Sequence, residues 1–216
     1  PLLSGTFDSC MEKGRDISDS GAVYNTTGCV CSYFADAIDS LEAVRYLVYE
    51  QKLCTLAELR QILADNWQGH EKLRAQVMKK APKWGNNDPE LDSLAVEVAT
   101  FMSKLLFNLP NGRGGHFFPS IYGQMVVERG QSIGALPSGR LAGTPMSKNM
   151  DSAIGMDRNG ITGLMNSVLK IDMRQFPCGT CLDIMLHPTS VRGEEGLQIL
   201  VSLIRSFIAR GGSGIQ

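Results

Sequence analysis

Residues Asn111 to Tyr122 read NGRGGHFFPSIY. Two glycines lead into the aromatic run His116-Phe117-Phe118, and Pro119, Ser120, Ile121 and Tyr122 close it. A long helical pattern precedes the stretch and a long glycine-rich loop follows, so it reads as a buried strand. Strand residues two apart share a face. That puts His116, Ser120 and Tyr122 on one face and Phe117, Pro119 and Ile121 on the other. The pattern fits a central strand whose histidine and tyrosine are merely satisfied, or a strand whose polar face looks onto something other than apolar core.

Working outward, Asp88-Pro89-Glu90 is a strong helix start: a cap, a proline at the first helical position and an acid in the first turn. The expected buried stripe of that helix is Leu91, Leu94, Val98, Phe101, Met102 and Leu105, and Pro110 ends it. Upstream, Thr55 and Glu58 form a capping-box pattern ahead of Leu56, Leu59, Ile62 and Leu63. A helix over residues 71–79 follows. Asp39 or Ser40 is the expected cap of an earlier helix with Leu41, Val44, Leu47 and Val48 as its stripe. Before it, Tyr24 and Thr26 share a face of a short strand.

Downstream, residues 123–160 contain GALPSGRLAGTP and little regular pattern. A structureless loop of this length is usually functional or held by a partner surface. Residues 161–171 turn helical. Leu182, Ile184 and Leu186 alternate with Asp183, Met185 and His187 as a strand stopped by Pro188. Residues 194–210 form the last helix, with Leu197, Leu200, Val201, Ile204, Phe207 and Ile208 inward. Gly211-Gly212-Ser213-Gly214 stops it, and Ile215-Gln216 opens another strand. Strands alternating with helices argue an α/β fold with a helix-covered sheet, and the unfinished ends argue an incomplete sheet or barrel.

The 216 residues carry a formal net charge of −1, with 43% hydrophobic and 20% charged residues. This is one ordinary α/β domain's worth of chain, with no basic surface to suggest nucleic acid and no run of the ~20 apolar residues a membrane span needs. Six cysteines sit within helix and strand patterns, which fits free thiols in a reducing compartment. Cys29-Val-Cys31 and Cys178-Gly-Thr-Cys181 invite a zinc reading, but one intervening residue rarely lets two sulfurs reach one zinc. A redox Cys-x-x-Cys should open a helix, whereas Cys181 leads into a strand. Arg113, between two glycines, can hold a carboxylate with its planar fork or make a structural ion pair. His70, His116 and His187 have no metal-ligand spacing.

Motifs along the whole chain resemble the C-terminal part of the glycyl radical enzymes, specifically the pyruvate formate-lyase-like group with its diol and amino-acid dehydratases. They are PLLS at Pro1, KGRDI at Lys13, GAVYNTTG at Gly21, ADAIDSLEAV at Ala35, NWQGHEKLR at Asn66 and KWGNNDPELD at Lys83. NGRGGHFFPS at Asn111, GALPSGRLAGTP at Gly134, NGITGLMNSVLKID at Asn159 and GGSGIQ at Gly211 follow in the family's order.

The resemblance implies part of a ten-stranded α/β barrel, with this chain supplying strands and outer helices of the second half. Residues 1–216 would be a single segment of the barrel domain, without the radical-bearing C-terminal glycine domain. It implies a lyase, dehydratase or formate acetyltransferase-like enzyme that breaks a C–C, C–O or C–N bond of a small molecule. In the family a glycyl radical in an R-V-x-G-Y setting drives a cysteine thiyl in a G-C-V-E loop, and an S-adenosylmethionine and iron-sulfur activase installs the radical. Neither setting is expected within these residues, and no cofactor is expected to be bound by them. Gly28-Cys29-Val30-Cys31 looks like the thiyl loop but sits elsewhere in the family order and lacks the following glutamate. By resemblance the wall of the substrate cavity falls to Tyr24, Thr26, Phe118, Ser120 and Tyr122. The implied partners are the rest of the barrel, the activase, a small-molecule substrate and a second copy in a homodimer, in the cytoplasm or a bacterial microcompartment. The rival reading is a non-catalytic short protein that binds the rest of such an enzyme.

Overall fold

The computed structural model describes residues 2–216; Pro1, and with it the start of the PLLS stretch, lies outside the described residues. A short helix, α1 (Asp8–Lys13), precedes the first of four extended segments that lie side by side in chain order. β1 (Thr27–Val30) pairs in parallel with β2 (Phe117–Ser120), with Thr27 opposite Phe117 and Val30 opposite Ser120. Beyond β2, Ile121 bridges Thr180 in parallel, and Leu182 bridges Ile215 in parallel. Ile121 N donates to Gly179 O (3.1 Å), and Gln216 N and Leu182 O meet at 2.9 Å. So pairing begins at Leu182 and Ile215 as expected, but the strand expected over 182–186 is shorter: its last bond is Ile184 N to Gln216 O (2.8 Å), and the described residues offer Leu186 no neighbouring strand to pair with.

Parallel neighbours need crossovers, and helices provide them. α2 (Phe34–Val44), α3 (Leu56–Ala64), α4 (Glu71–Lys80) and α5 (Pro89–Phe107) join β1 to β2. α6 (Val126–Ser132) and α7 (Gly160–Val168) lead to residues 178–184, and α8 (Gly193–Ala209) leads to Ile215. The result is one sector of an α/β barrel. Ile121, Leu182 and Ile215 pack into the main core with Phe34, Trp84 and Phe207. A second core joins Leu47 with α3 and α4 through Leu59, Ile62, Trp67 and Val77.

Several helices bury a different face from the one their large apolar residues suggest. α5 begins as expected, with Asp88 Oδ1 accepting from Glu90 N (3.1 Å) and Leu91 N (3.0 Å). Its buried positions, however, are Leu91, Asp92, Ala95, Ala99 and Ser103, whereas Phe101 is 64% exposed. Small side chains every fourth residue let the helix axis come close to β2, which the bulkier stripe would prevent. α8 likewise buries only Gly196 and Phe207 and turns Leu197 and Ile208 outward. α2 starts at Phe34, five residues before its expected cap. Asp39 is wholly buried in mid-helix, where its carboxylate accepts from Trp84 N at 2.7 Å.

The capping box on α3 is present: Thr55 Oγ1 accepts from Glu58 N (3.2 Å) and the Glu58 carboxylate accepts from Thr55 N (2.7 Å). Thr55→Ala should therefore cost about 1 kcal/mol, read as a lower denaturation midpoint at unchanged slope; an unaltered midpoint would mean that the box adds nothing. At the far end, a side chain on Gly212 would strike the Phe207 ring. The α8-to-strand turn thus requires glycine where it passes this buried aromatic.

Candidate functional site

Ligands of parallel α/β sheets gather at the C-terminal ends of the strands, and here that edge carries most of the unusual chemistry. Since Ile121 and Leu182 face the helices, the alternation turns Ser120 and Tyr122, and then Cys181 and Asp183, to the other face. The Ile121–Thr180 bridge puts Tyr122 level with Cys181. Met185, two further along that row, is 98% exposed.

Both strands leave this edge through strained backbone. Tyr33 (φ 62°) stands ahead of α2 and Met125 (φ 57°) ahead of α6, and neither is glycine. Non-glycine residues seldom adopt this region, and each such residue costs on the order of 1–3 kcal/mol. Cross-ties hold the two exits together: Ser32 Oγ donates to Tyr122 O (3.0 Å) and Tyr33 Oη to Gln124 O (3.3 Å).

The long loop closes over the same edge. Asn149 joins it to β2 and the third segment, with Oδ1 accepting from Gly123 N (2.9 Å) and Nδ2 donating to Asp183 Oδ1 (3.1 Å). Lys148 forms an ion pair with Asp183, and Asp151 Oδ1 accepts from Asp183 N (2.8 Å). Burial, with the Asp183 charge adding to it, pushes Asp151 up to about 7 despite that hydrogen bond. Burial, then the Asp183 contact, pushes the Cys181 thiol up to about 11. Cys31 rises to about 11 through burial and its neighbour Cys29. Both are protonated near neutrality and are poor nucleophiles or metal ligands in that form. Cys178 lies in the turn ahead of the third segment, closed by Gly179 N donating to Phe176 O (2.9 Å), and does not open a helix as a redox Cys-x-x-Cys would. Among the described residues, no three His, Cys, Asp or Glu side chains are grouped to hold a metal ion, and no helix is long and apolar enough to cross a membrane.

The five residues expected on a cavity wall fall at the two ends of the strand pair. Ser120 and Tyr122 lie at the C-terminal edge. Ser120 is buried and its hydroxyl ties to Cys29 O at 3.4 Å. The Tyr122 hydroxyl meets the Gln124 side chain. Phe118 sets its ring 5.6 Å from that of Phe107 at the end of α5. Tyr24 and Thr26 precede β1, which begins only at Thr27 where pairing starts. Six residues of strand separate the level of Thr26 from Tyr122, about 20 Å. Tyr24 is 86% exposed and borders a groove with Phe7, Val23 and Arg113. Arg113 ties down the approach to β1, donating to Thr26 O (2.8 Å) and Thr27 Oγ1 (2.7 Å). A side chain on Gly115 would strike Asn25 O, so the glycine directly before His116 is what lets this approach pack.

The Asp183, Asp151, Lys148 and Asn149 cluster was missed by the motif reading. Its signal is a charged residue on the outward row of an otherwise apolar strand, Asp183 between Leu182 and Ile184. Asp151→Asn checks its electrostatics. A carboxyl raised from 3.8 to about 7 binds more protons folded than unfolded. The stability it lends is full below pH ~4 and lost as pH rises through about 7. The variant should therefore lose less stability than the parent between pH 5 and 8 in thermal unfolding; parallel curves would show that Asp151 titrates normally.

Comparison with known proteins places the whole chain. Residues 1–126 match the family described as pyruvate formate lyase-like, and residues 146–216 match the family described as glycine radical. The chain is 32% identical to trans-4-hydroxy-L-proline dehydratase of Clostridioides difficile over all of its own length and 27% of that protein. It is 32% identical to (2S)-3-sulfopropanediol dehydratase of Klebsiella oxytoca, again over its full length and 27% of the relative. It superposes on the glycerol-bound B12-independent glycerol dehydratase of Clostridium butyricum with a TM-score of 0.92 at 36% identity, covering 100% of this chain and 28% of that one. The chain thus spans about a quarter of the length of the relatives it matches.

Proposed function

Since the chain belongs to the pyruvate formate lyase-like family of glycyl radical enzymes, we propose that it forms part of an enzyme that breaks a bond of a small molecule by radical chemistry. Its share is the cavity wall and scaffold. The bond is C–C, C–O or C–N, and the dehydratases among the relatives favour C–O. The observation that carries this reading is the likeness over the full chain to a glycerol-bound dehydratase. None of the 23 glycines lies in an Arg-Val-x-Gly-Tyr setting, so we assign the radical glycine to residues outside these 216. A radical of this kind supplies hydrogen abstraction through a cysteine thiyl, and a separate S-adenosylmethionine-dependent activase would install it.

The residues in hand support binding and orientation. The Tyr122 ring offers an apolar wall that excludes water, and its hydroxyl offers one orienting polar tip. Asp183, fixed by Lys148 and Asn149, provides a negative charge of set position. Asp151, near neutrality in its titration, can hold or release a proton. Ser120, engaged on Cys29 O, serves as a strand tie. Tyr24, Thr26 and Phe118 would line the wall at the opposite end of the strands.

The test is anaerobic activation of the full polypeptide carrying these residues, followed by electron paramagnetic resonance. A carbon-centred radical assigned to a glycine by isotope substitution, with turnover of a small substrate, is expected. The 216-residue chain alone should give neither. A radical-free but fully active polypeptide would sink the reading.

A further inference from the structure

We propose that the cavity between α2, α4 and the loop over residues 138–156 binds a small carboxylate that also carries a hydroxyl group. The cavity measures about 220 Å³ and shares no residue with the strand edge described above. Two of its buried groups are only half satisfied. Asp39 is wholly buried; its Oδ1 accepts from Trp84 N, and its Oδ2 has no hydrogen-bond partner among the described residues. Lys83 is 4% exposed, and among the described residues its ammonium makes a single hydrogen bond, to Ser138 O at 3.3 Å. An ammonium has three donors, so two are left over at a residue that lines the cavity.

Buried polar groups left without partners are costly and rare. The group that satisfies both at once must accept from an ammonium and donate to a carboxylate, which a hydroxyl does. The charges call for an anion elsewhere on the same ligand. Asp39 is balanced by Lys83 and Asp36 by Arg140. Arg74 also lines the cavity, and among the described residues only its Nε is engaged, on Gly139 O at 2.6 Å. Its free terminal nitrogens form the planar fork that suits a carboxylate. Arg140 cannot serve in this way, because its guanidinium is turned onto the carbonyls of Gly130, Gly134 and Thr144. Met78, Leu141 and Ile154 supply an apolar wall for a short carbon chain. The volume lies below the ~300–1,000 Å³ of drug-sized sites, which restricts the ligand to a few carbons. Burial raises Asp39 and lowers Lys83 in their titrations, as expected for groups that lack full solvation.

Isothermal titration of the full polypeptide carrying these residues, with glycolate as the probe, tests this. We expect one saturable site, with acetate (no hydroxyl) and ethylene glycol (no carboxylate) each at least about tenfold weaker. Arg74→Gln, at a half-buried position, should weaken glycolate by about tenfold or more with an unchanged unfolding midpoint. Asp39→Asn, which keeps an acceptor for Trp84 N, should also weaken glycolate by about tenfold or more, here with some loss of stability because Lys83 loses its balancing charge. Tyr122→Phe should leave the affinity unaltered. Absence of saturable heat up to about 50 mM glycolate overturns the proposal and leaves the cavity to water. Equal affinity for acetate, or binding lost in Tyr122→Phe but kept in Arg74→Gln, overturns it as well.

Discussion

Trp84→Ala is expected to destabilise the fold by about 3–5 kcal/mol, the usual cost of truncating a buried aromatic. The side chain is fully buried and meets Phe34 edge-on, with ring centroids 5.5 Å apart and planes at 85°. Edge-to-face pairs add about 0.5–1.5 kcal/mol to the burial itself. The indole Nε1 donates to Met150 O at 2.9 Å, so one side chain fastens the long loop to the core between α2 and α5. Truncation leaves a cavity lined by Phe34 and its neighbours and an orphaned carbonyl at Met150. Trp84→Phe separates the two effects: it keeps most of the packing and gives up the hydrogen bond, worth about 1 kcal/mol net. Domains of this kind are stable by only about 5–15 kcal/mol, so the alanine variant should unfold at a clearly lower denaturant concentration. A loss below about 1 kcal/mol for Trp84→Ala would mean that the loop is not anchored there.

Much of this architecture was legible in the residues. Asp88-Pro89 and Thr55-x-x-Glu58 located two helix starts because capping chemistry is local. The alternation around Ile121 and Leu182 separated the two faces of the sheet because its period is geometric. What was not legible follows from tertiary packing. The outward turn of Phe101 on α5 and of Leu197 and Ile208 on α8 depends on how closely each helix approaches its neighbours. Asp39 reads as a cap in sequence, yet its partner, Trp84 N, lies 45 residues away. The start of β1 at Thr27 is set by β2, across a separation that no local pattern reports.

The same division holds for the candidate site. The place of Tyr122 at the strand edge was readable because it lies on a strand with an evident polar row. Its neighbours were not, because Asn149 and Asp151 come from a loop without periodicity and meet Asp183 only after the crossover through α7. Motif order along the chain identified the family, which the comparisons then bore out. It did not arrange the five expected wall residues, since Tyr24 and Thr26 lie a strand's length from Tyr122.

The second large effect is expected at Tyr122, in the enzyme of which this chain is proposed to form part. Tyr122→Phe removes only the hydroxyl, which here meets Gln124 on the same exposed edge. Stability should change by no more than about 1.5 kcal/mol, the upper range for one hydrogen bond. Catalysis should suffer more, because a substrate displaced by ~1 Å from its reacting partner can lose about a hundredfold in rate. The measurement that decides is turnover per glycyl radical, with radical content counted by electron paramagnetic resonance and folding followed on the same preparation. A normal radical yield, near-parental stability and a fall of about a hundredfold in turnover per radical are expected. Parental turnover per radical, with or without a loss of stability, would contradict this and make Tyr122 a residue of the scaffold.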